Sequence, residues 1–421
     1  MKKNSAPPTV VVGGGAAGLF CACQLSAGGV PVLLIEKNAQ LGRKLRITGK
    51  GRCNLTNDCD SETFLKNVPR NWRFLYSAIN AFSTQDTKDY FTALGVPLKT
   101  ERGARVFPVS DSAHQVADAL VQTARAQGVT ILQDRVTAIA PEDGGYRVET
   151  AASGDFFAPQ VVVATGGLSY PQTGSDGDGH RFAAALDLPV TACSPSLIPM
   201  VVKEPWCKNL MGLSLRNATL TVRDTQKKDR PVFSQLGELL FTHFGVSGPL
   251  VLSASGHMED VPGRYRLQID LKPGLTAQQL DRRILRDVEE NPNKNFSNLL
   301  AGLLPQKLIG TVCALSGVPA TEKANQLTRA QRAALRDLLK CLPLTFAGFR
   351  PIAEAIITRG GVDVRQVQPG SMQIKERPGL YFVGEVLDVD GYTGGFNLQI
   401  AFSTAYLAAR DILAKRGAGE L

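Results

Sequence analysis

Few side chains in this sequence move protons readily near neutral pH, since only four of its 421 residues are histidine. His243, in the run FTHFGVSGP, is the best candidate proton donor because its glycine-containing segment suits close approach to a ligand; the alternative is a packed, hydrogen-bonded histidine. Tyr392, in DGYTGG, and Arg359, in ITRGGV, follow, because a phenol donates a proton and a guanidinium orients an oxyanion. We predict that these three residues are catalytic; Arg359 is equally consistent with a structural role.

A glycine-rich turn near the N-terminus has the spacing of a dinucleotide-binding loop. The run VVVGGGAAGL places three glycines directly after an apolar strand and at the start of a small-residue helix. Gly13 allows the tight turn, Gly15 lets the backbone approach a pyrophosphate, and Gly18 lets helix and strand pack closely. Glu36 ends the second strand, where a carboxylate binds both ribose hydroxyls and repels a 2′-phosphate, so the ligand is FAD or NAD. The predicted contacts of this unit also include Ala16, Ala17 and Lys37.

Two later elements favour FAD over NAD. The run VVVATGG at 161–167 ends a buried strand with paired glycines, as a chain does where it passes close to a bulky cofactor. Near the C-terminus, an acid that ends a strand suits the ribityl hydroxyls, and the helix that starts at GGFN suits the flavin edge that gains negative charge on reduction. The predicted contacts here are Thr165, Gly166, Gly167, Gly384, Glu385, Gly394, Gly395, Phe396 and Asn397.

The segment 41–57 combines cations with glycines soon after the acid of the second strand. Such a loop suits a pyrophosphate or an anionic flavin, and a solvated basic loop is the alternative. Cys53 and Cys59 have C-x5-C spacing instead of the C-x4-C of flavin disulfide reductases, so we interpret Cys53 as a small buried residue beside the cofactor. The predicted contacts of this segment are Gly42, Arg43, Lys44, Gly51, Arg52, Cys53 and Asn54, to which we add Val136.

The order of predicted elements indicates an α/β protein with an insertion. Strands alternate with helices in residues 9–36, at 161–167 and at 379–410, which is typical of a parallel sheet covered on both faces. Between them, short alternating strands are followed by a segment with helical periodicity. We therefore predict a Rossmann-like FAD-binding domain made of residues 1–190 and 346–421, with a β-rich and helical domain inserted at 191–345.

The amino-acid composition indicates which binding partners and which cellular compartment suit this chain. The net charge is +9, and residues 191–345 hold 20 Lys and Arg against 13 Asp and Glu, which contributes +7. A basic segment of this kind fits an acidic partner such as RNA or a phosphorylated small molecule, and a solvated surface is the alternative. We predict no membrane span, because no apolar run reaches the roughly 18 residues that one needs. The eight cysteines have no CxxC spacing, which indicates no metal site and reduced thiols in a cytoplasmic protein.

The chain resembles a bacterial family of flavoproteins along essentially its whole length. The matching runs are GGGAAGL, LGRKLRITGKGRCNLTN at 41–57, ATGGLSYPQTGSDGDGH at 165–180, LLFTHFGVSGP at 239–249 and GLYFVGEVLDVDGYTGGFNLQIAFS at 379–403. They are similar to the BaiN-like or aminoacetone-oxidase-like NAD(P)/FAD-dependent oxidoreductases, and the GKGRCN and DGYTGGFN runs are specific to that family. The resemblance implies a Rossmann-like FAD domain with an inserted domain, and a relation to the fumarate-reductase class, whose flavins reduce activated C=C bonds.

The predicted function is that of an FAD-dependent oxidoreductase that takes hydride from NAD(P)H and delivers it to an electron-poor C=C bond. NAD(P)H would reduce the flavin transiently, because no second dinucleotide-binding motif is visible. The resemblance implies three substrate classes, namely unsaturated 3-oxo bile acids, aminoacetone and a uracil base of ribosomal RNA. We favour a bile-acid-like small molecule. The alternatives are an RNA reductase that forms dihydrouridine, which the basic segment favours, and an amine oxidase.

Overall fold

The computed structural model describes residues 7–418, and their contacts divide the chain into two compact units. Unit 1 consists of the described residues up to Ser196 together with those from Ile352 onward, and unit 2 spans Leu197–Pro351. The first part of unit 1 contains β1 (Thr9–Val12), α1 (Ala16–Ala27), β2 (Val32–Glu36), α2 (Arg43–Ile47), β3 (Thr56–Asn57), α3 (Ser61–Lys66), α4 (Tyr76–Ala81), α5 (Thr84–Ala93), β4 (Leu98–Glu101), β5 (Arg105–Pro108), α6 (Ala113–Ala126), β6 (Thr130–Gln133), β7 (Val136–Glu142), β8 (Gly145–Thr150), β9 (Asp155–Ala158), β10 (Val161–Val163), α7 (Asp178–Ala185) and β11 (Val190–Ser196).

Unit 2 interrupts this series, and the chain then returns to unit 1. Unit 2 contains β12 (Met200–Val202), β13 (Ser214–Asp224), β14 (Arg230–Phe241), β15 (Gly245–Ser247), α8 (Pro249–Ser255), β16 (Tyr265–Asp270), α9 (Ala277–Glu290), α10 (Phe296–Leu300), α11 (Gln306–Ser316), α12 (Arg329–Lys340) and β17 (Leu342–Phe349). The last part of unit 1 contains β18 (Ile357–Val362), β19 (Leu380–Phe382) and α13 (Phe396–Gly417).

The core of unit 1 is a five-stranded parallel sheet in the order β19-β10-β1-β2-β6. Every residue of β1, β2, β10 and β19 is buried, which is typical of a parallel sheet covered on both faces. The edge strand β6 is partly exposed. The small residues of α1 let it pack closely against α13 and α6. The predicted α/β class is therefore confirmed.

Two strands of this sheet are shorter than the sequence pattern indicates. The run VVVATGG forms a strand only over Val161–Val163, and its remaining residues leave the sheet. Likewise β19 ends at Phe382, and Gly384 begins a single 3-10 turn. The positive φ values of Gly166 (73°) and Gly384 (76°) turn the chain away from the sheet, a conformation that glycine adopts without strain. Both glycine segments thus become loops at the carboxyl ends of parallel strands.

Three small antiparallel sheets complete unit 1, in the orders β3-β5-β4, β7-β8-β9 and β11-β18. Strand β11 pairs with β18 from Val190 opposite Val362 to Ser196 opposite Ile357. Because this pairing ties β11 to the returning chain, unit 1 extends to Ser196 instead of the predicted residue 190. The second boundary also lies later, at Ile352 instead of residue 346.

Unit 2 is built on a closed antiparallel barrel in the order β12-β15-β14-β13-β16-β17. Leu220, Leu267 and Phe346 are fully buried in its core. The helices α9 and α12 both begin with a capping box, formed by a threonine N-cap and a glutamine three residues later. The sequence predicts the β-rich and helical character of this unit, but barrel closure depends on long-range pairing between β12 and β17.

Candidate cofactor-binding site

The glycine loop between β1 and α1 has the backbone geometry of a phosphate-binding turn. Gly13 has φ 103°, and its N–H donates to the Ile35 carbonyl at 2.8 Å, which holds the turn on the sheet. A Cβ on Gly18 would overlap the Gly13 carbonyl oxygen, whereas a Cβ on Gly15 would meet no atom of the described residues within 4 Å. No side chain caps α1 at Gly15, so the N–H groups of its first turn and the positive end of its dipole suit a phosphate.

Glu36, the last residue of β2, is fixed against this loop. Its Oε2 accepts a hydrogen bond from the Gly14 N–H at 2.6 Å. Its Oε1 accepts from the backbone N–H of Asn38 at 2.8 Å and from Asn38 Nδ2 at 2.7 Å. These bonds orient the carboxylate and leave it further lone pairs for ribose hydroxyls. Asn38 was not predicted from the sequence, because no motif spacing identifies a residue that orients the carboxylate of Glu36.

A cavity in unit 1 lies where several elements end, beside Gly13 of the glycine loop and Glu36. Thr165 is among its lining residues, and the Oγ1 atom of this residue is buried with no hydrogen-bond partner in the described part of the chain. Such an orphaned polar atom indicates a ligand that supplies the missing bond. The residues present therefore fit a bound dinucleotide. The cavity is lined by Val12, Gly13, Ile35, Glu36, Lys37, Asp134, Arg135, Val136, Thr165, Gly174, Asp178 and Phe182.

An ionic cluster forms one wall of this cavity. The Lys37 ammonium lies 2.6 Å from Asp176 and 2.5 Å from Asp178. Asp178, in the first turn of α7, also pairs with Arg135 at 2.7 Å and with Arg181. Because Lys37 is ion-paired with both carboxylates, this predicted contact is held within the wall of the cavity. Asp176 and Asp178 were not among the predicted site residues. They belong to the GSDGDGH run, whose repeated acid and glycine residues are the sequence feature that could have indicated them.

Lys44 and Glu385 form a second cluster, although 341 positions separate them in the chain. Their ion pair is 2.5 Å long. Ser169 Oγ donates to Glu385 Oε1 at 2.9 Å, and the Thr358 N–H donates to the same oxygen at 2.9 Å. A Cβ on Gly167 would collide with Thr358, so only glycine fits beside this cluster. The structure thus brings together three predicted contacts, Lys44, Glu385 and Gly167. It adds Ser169 and Thr358, which the sequence did not indicate.

The N-terminus of α13 is held by the segment that follows the basic loop. With its amide oriented to satisfy both atoms, Asn54 accepts from the Gly395 N–H at 3.0 Å. Asn57 Nδ2 donates to the Gly394 carbonyl at 3.0 Å. Asn397 closes the turn, since its Oδ1 accepts from the Gly391 N–H at 2.8 Å. The predicted contacts Asn54, Gly394, Gly395 and Asn397 are therefore neighbours, and Phe396 is buried beside them.

Other predicted contacts in the basic loop are engaged within the protein. Arg52 pairs with Glu101 at 2.5 Å and with Asp111 at 2.6 Å, which raises its pKa further, and it stacks on Phe107. Cys53 is fully buried, and burial raises its thiol pKa to about 12. Three predicted contacts of the basic loop remain. Gly42 (φ 68°) is the N-cap of α2, Gly51 has a φ of 83°, and the Arg43 side chain donates a hydrogen bond to Asn38 at 3.1 Å. Their roles toward a cofactor stay predictions.

The three catalytic candidates lie in different places. Tyr392 and Arg359 belong to unit 1, where Arg359 Nε donates to Ser194 Oγ at 2.9 Å. Burial raises the pKa of the Tyr392 phenol, and the nearby Asp390 carboxylate raises it further. The phenol therefore keeps its proton at neutral pH. His243 belongs to unit 2, where it is exposed with its ring against Phe244. Its catalytic role stays a prediction.

Within residues 7–418, no group of three His, Cys, Asp or Glu side chains is arranged to hold a metal ion. All eight cysteines are free thiols. The same described residues include no helix that is long and apolar enough to cross a membrane.

The glycine loop, the acid that ends β2 and the cavity at the carboxyl ends of the parallel strands define a dinucleotide-binding protein of Rossmann type. Residues 7–411 match the family model described as "HI0933-like protein Rossmann domain". The chain belongs to this family of FAD-dependent oxidoreductases, which confirms the predicted resemblance.

Two curated relatives align with nearly the whole chain. The ribosomal RNA dihydrouridine synthase of Escherichia coli (strain K12) is 31% identical over 414 residues, which cover 97% of this chain and 98% of the relative. The 3-dehydro-bile acid delta(4,6)-reductase of Clostridium scindens is 31% identical over 412 residues, covering 95% and 97%. The 3-ketosteroid-delta4-(5alpha)-dehydrogenase structure from Rhodococcus jostii RHA1 shares the fold with a TM-score of 0.51 and 15% identity, covering 97% of this chain and 98% of that one.

Glu36→Gln is expected to weaken FAD binding roughly 10- to 100-fold, because hydrogen bonds to a charged group contribute about 1.5–3 kcal/mol. Glutamine keeps the shape of the side chain but loses the charge that strengthens bonds to ribose hydroxyls. FAD titration of the apoprotein measures the effect. The matched control is Glu142→Gln at the exposed end of β7, which should bind FAD as the parent does. Equal affinities of both variants would contradict the ribose-binding role of Glu36.

Proposed function

We propose that this protein is a reductase that uses NAD(P)H and bound FAD to saturate an electron-poor C=C bond. The observation that carries the proposal is the cavity at the carboxyl ends of the sheet strands, lined by Thr165, whose buried hydroxyl has no hydrogen-bond partner among residues 7–418. Bound FAD supplies hydride transfer. The protein contributes the glycine loop and Glu36 for the ADP half. The Lys44–Glu385 cluster and the N-terminus of α13 would hold the flavin half.

Reduction of a C=C bond also needs one proton, and Tyr392 is the proposed donor. Its backbone is fixed, since its N–H donates to the Asn67 carbonyl at 3.0 Å and its carbonyl accepts from Asn397 Nδ2 at 3.3 Å. The raised pKa of its phenol keeps the proton in place until a carbanion-like substrate atom develops beside it. Arg359 is the proposed group that orients the substrate carbonyl and stabilises its negative charge.

The names of these two relatives favour one chemistry with two substrate classes. One relative is named for reduction of a 3-dehydro-bile acid, and the other for dihydrouridine formation in ribosomal RNA. In both substrates the C=C bond is conjugated to a carbonyl group, so hydride addition places negative charge on an oxygen. We therefore propose a bile-acid-like enone as the first candidate and a uracil base as the second. The excess of cations in residues 191–345 favours the second.

An anaerobic experiment tests the proposal. The FAD-loaded protein is mixed with NADH or NADPH, and bleaching of the flavin absorbance gives the preferred donor. The reduced protein is then mixed with a Δ4-3-oxo steroid or a uridine-containing RNA, and rapid flavin reoxidation identifies the acceptor. Reoxidation by neither acceptor would overturn the proposal, and reduction of the flavin by aminoacetone in place of NAD(P)H, with peroxide formation in air, would favour an amine oxidase.

Tyr392→Phe is expected to slow reoxidation by the alkene roughly 100-fold or more while leaving reduction by NAD(P)H unchanged, because general acid catalysis contributes on the order of 10²–10⁴. Tyr406→Phe on α13 is the matched control, since this partly buried tyrosine lies far along the helix from Gly395 and packs against Phe82. Unchanged reoxidation in the Tyr392 variant would exclude this residue as the donor.

A further inference from the structure

One turn of unit 1 exposes two large aromatic side chains. Residues Trp72–Leu75 form a 3-10 turn that runs directly into α4 at Tyr76. Phe74 and Leu75 are buried and anchor the turn, whereas Trp72 is 40% exposed and Tyr76 is 61% exposed. The two exposed rings are four residues apart, Trp72 at the start of the 3-10 turn and Tyr76 at the start of α4. Neighbouring exposed aromatic rings are a common mark of a binding surface, because each keeps apolar area in water.

Three cations lie in the chain segment around these rings. They are Lys66, which pairs with Glu62 at 2.7 Å, Arg70 and Arg73. The Arg73 guanidinium lies over the Trp72 ring, 4.8 Å from its centroid. Arg70, 37% exposed, forms a 3.4 Å ion pair with Asp388. Aromatic rings bordered by guanidinium groups suit a ligand that combines planar rings with negative charge.

The turn is hydrogen-bonded to the residues that lead into α13. Asn71 Nδ2 donates to the Asp388 carbonyl at 2.6 Å. The Tyr392 N–H donates to the Asn67 carbonyl, just before the turn, at 3.0 Å. Tyr392 is the proposed proton donor, so the exposed rings stand on the segment that flanks the proposed reaction site.

We propose that Trp72 and Tyr76 form a docking surface for single-stranded RNA, on which bases next to the reacting base stack. The inference rests on the proposed function, since it gives the second substrate candidate a binding surface. Every base offers a flat π-face, so two exposed rings four residues apart hold bases without reading their sequence, and the arginines attract phosphates. A compact steroid instead needs a concave apolar pocket that buries most of its surface, which two exposed rings do not provide.

The small number of tryptophans makes this surface observable. The chain contains two, Trp72 and Trp206, so Trp206→Phe leaves Trp72 as the only indole. This FAD-loaded variant is titrated with a fluorescein-labelled ten-nucleotide oligouridylate. We expect quenching of Trp72 emission that parallels the rise in fluorescein anisotropy. In the parent protein, Trp72→Ala or Tyr76→Ala should raise the Kd roughly tenfold or more, as loss of one stacking partner does.

Matched controls separate stacking from general attraction of RNA. Phe157→Ala removes another aromatic ring that is 40% exposed, on β9, and should leave the Kd unchanged. Oligouridylate paired with oligoadenylate should leave Trp72 emission unchanged, because its bases are already stacked.

Three results would overturn the inference: no binding of the oligouridylate, binding that leaves Trp72 emission unchanged, or quenching by a Δ4-3-oxo steroid alone. The titration requires no turnover. Its failure is therefore distinguishable from failure of the proposed reductase function, which flavin reoxidation reports separately.

Discussion

Replacing Gly15 with alanine is expected to remove most of the FAD affinity while the apoprotein stays folded. Gly15 has backbone angles open to any residue (φ −82°, ψ −166°), and a Cβ there would meet no protein atom within 4 Å. The pyrophosphate is proposed to occupy that space, so the methyl group displaces the cofactor instead of the protein. Overpacking of this kind costs about 1–3 kcal/mol, which corresponds to roughly 10- to 100-fold weaker binding. FAD titration and thermal unfolding of the apoprotein measure the two quantities.

Gly18→Ala provides the contrast within the same motif. Its Cβ would overlap the Gly13 carbonyl, a backbone atom that moves only if the connection between β1 and α1 opens. This variant should have a lower unfolding temperature as well as a lower affinity for FAD. Gly370→Ala is the neutral control, because its Cβ would meet no atom within 4 Å and its φ is not positive. Parent-like FAD affinity in Gly15→Ala would show that the cofactor does not pass over this loop.

The second large effect is expected from Gln399→Leu, which should lower the free energy of unfolding by at least about 3 kcal/mol. Gln399 is fully buried in α13. Its Oε1 accepts from Thr56 Oγ1 at 2.6 Å and from Thr87 Oγ1 at 2.7 Å. Its Nε2 donates to the Phe82 carbonyl at 3.1 Å and to Ser403 Oγ at 3.0 Å. Leucine fills a similar volume but pairs with none of these groups, and each buried polar group without a partner costs about 1–3 kcal/mol.

Urea unfolding followed by circular dichroism checks this result. Gln278→Leu, on the exposed side of α9, is the matched control and should shift the midpoint little. Because Gln399 binds Thr56, next to the segment that holds the α13 N-terminus, the variant should also release FAD more easily. An unchanged midpoint would mean that water or a repacked neighbour replaces the lost bonds.

Several features of the site were predictable because each depends on local backbone geometry. The spacing of Gly13, Gly15 and Gly18 predicts a tight turn at Gly13 and close packing of helix and strand at Gly18, and the structure has both. Glu36 is the last residue of β2, as the alternation of strand and helix predicts. The helix that starts at GGFN begins at Phe396. These assignments needed no knowledge of distant residues.

The pairing of charges was not predictable in this way. Arg52 has the sequence context of a phosphate ligand, yet it pairs with Glu101 and Asp111, and Lys37 is neutralised by two acids of a later segment. Sequence spacing does not report which charges the fold brings within about 4 Å of each other, where an ion pair forms.

The sequence by itself therefore determined the class of cofactor, because glycines and a terminal acid encode a local backbone shape. Only the tertiary structure decided how the site is assembled. It joins Lys44 to Glu385 across 341 positions, and among residues 7–418 it leaves the Thr165 hydroxyl buried without a hydrogen-bond partner. It also exposes Trp72 and Tyr76 on the segment bonded to Tyr392. The physical reason is that burial and hydrogen-bond satisfaction are properties of surfaces brought together by long-range packing, and no run of neighbouring residues contains them.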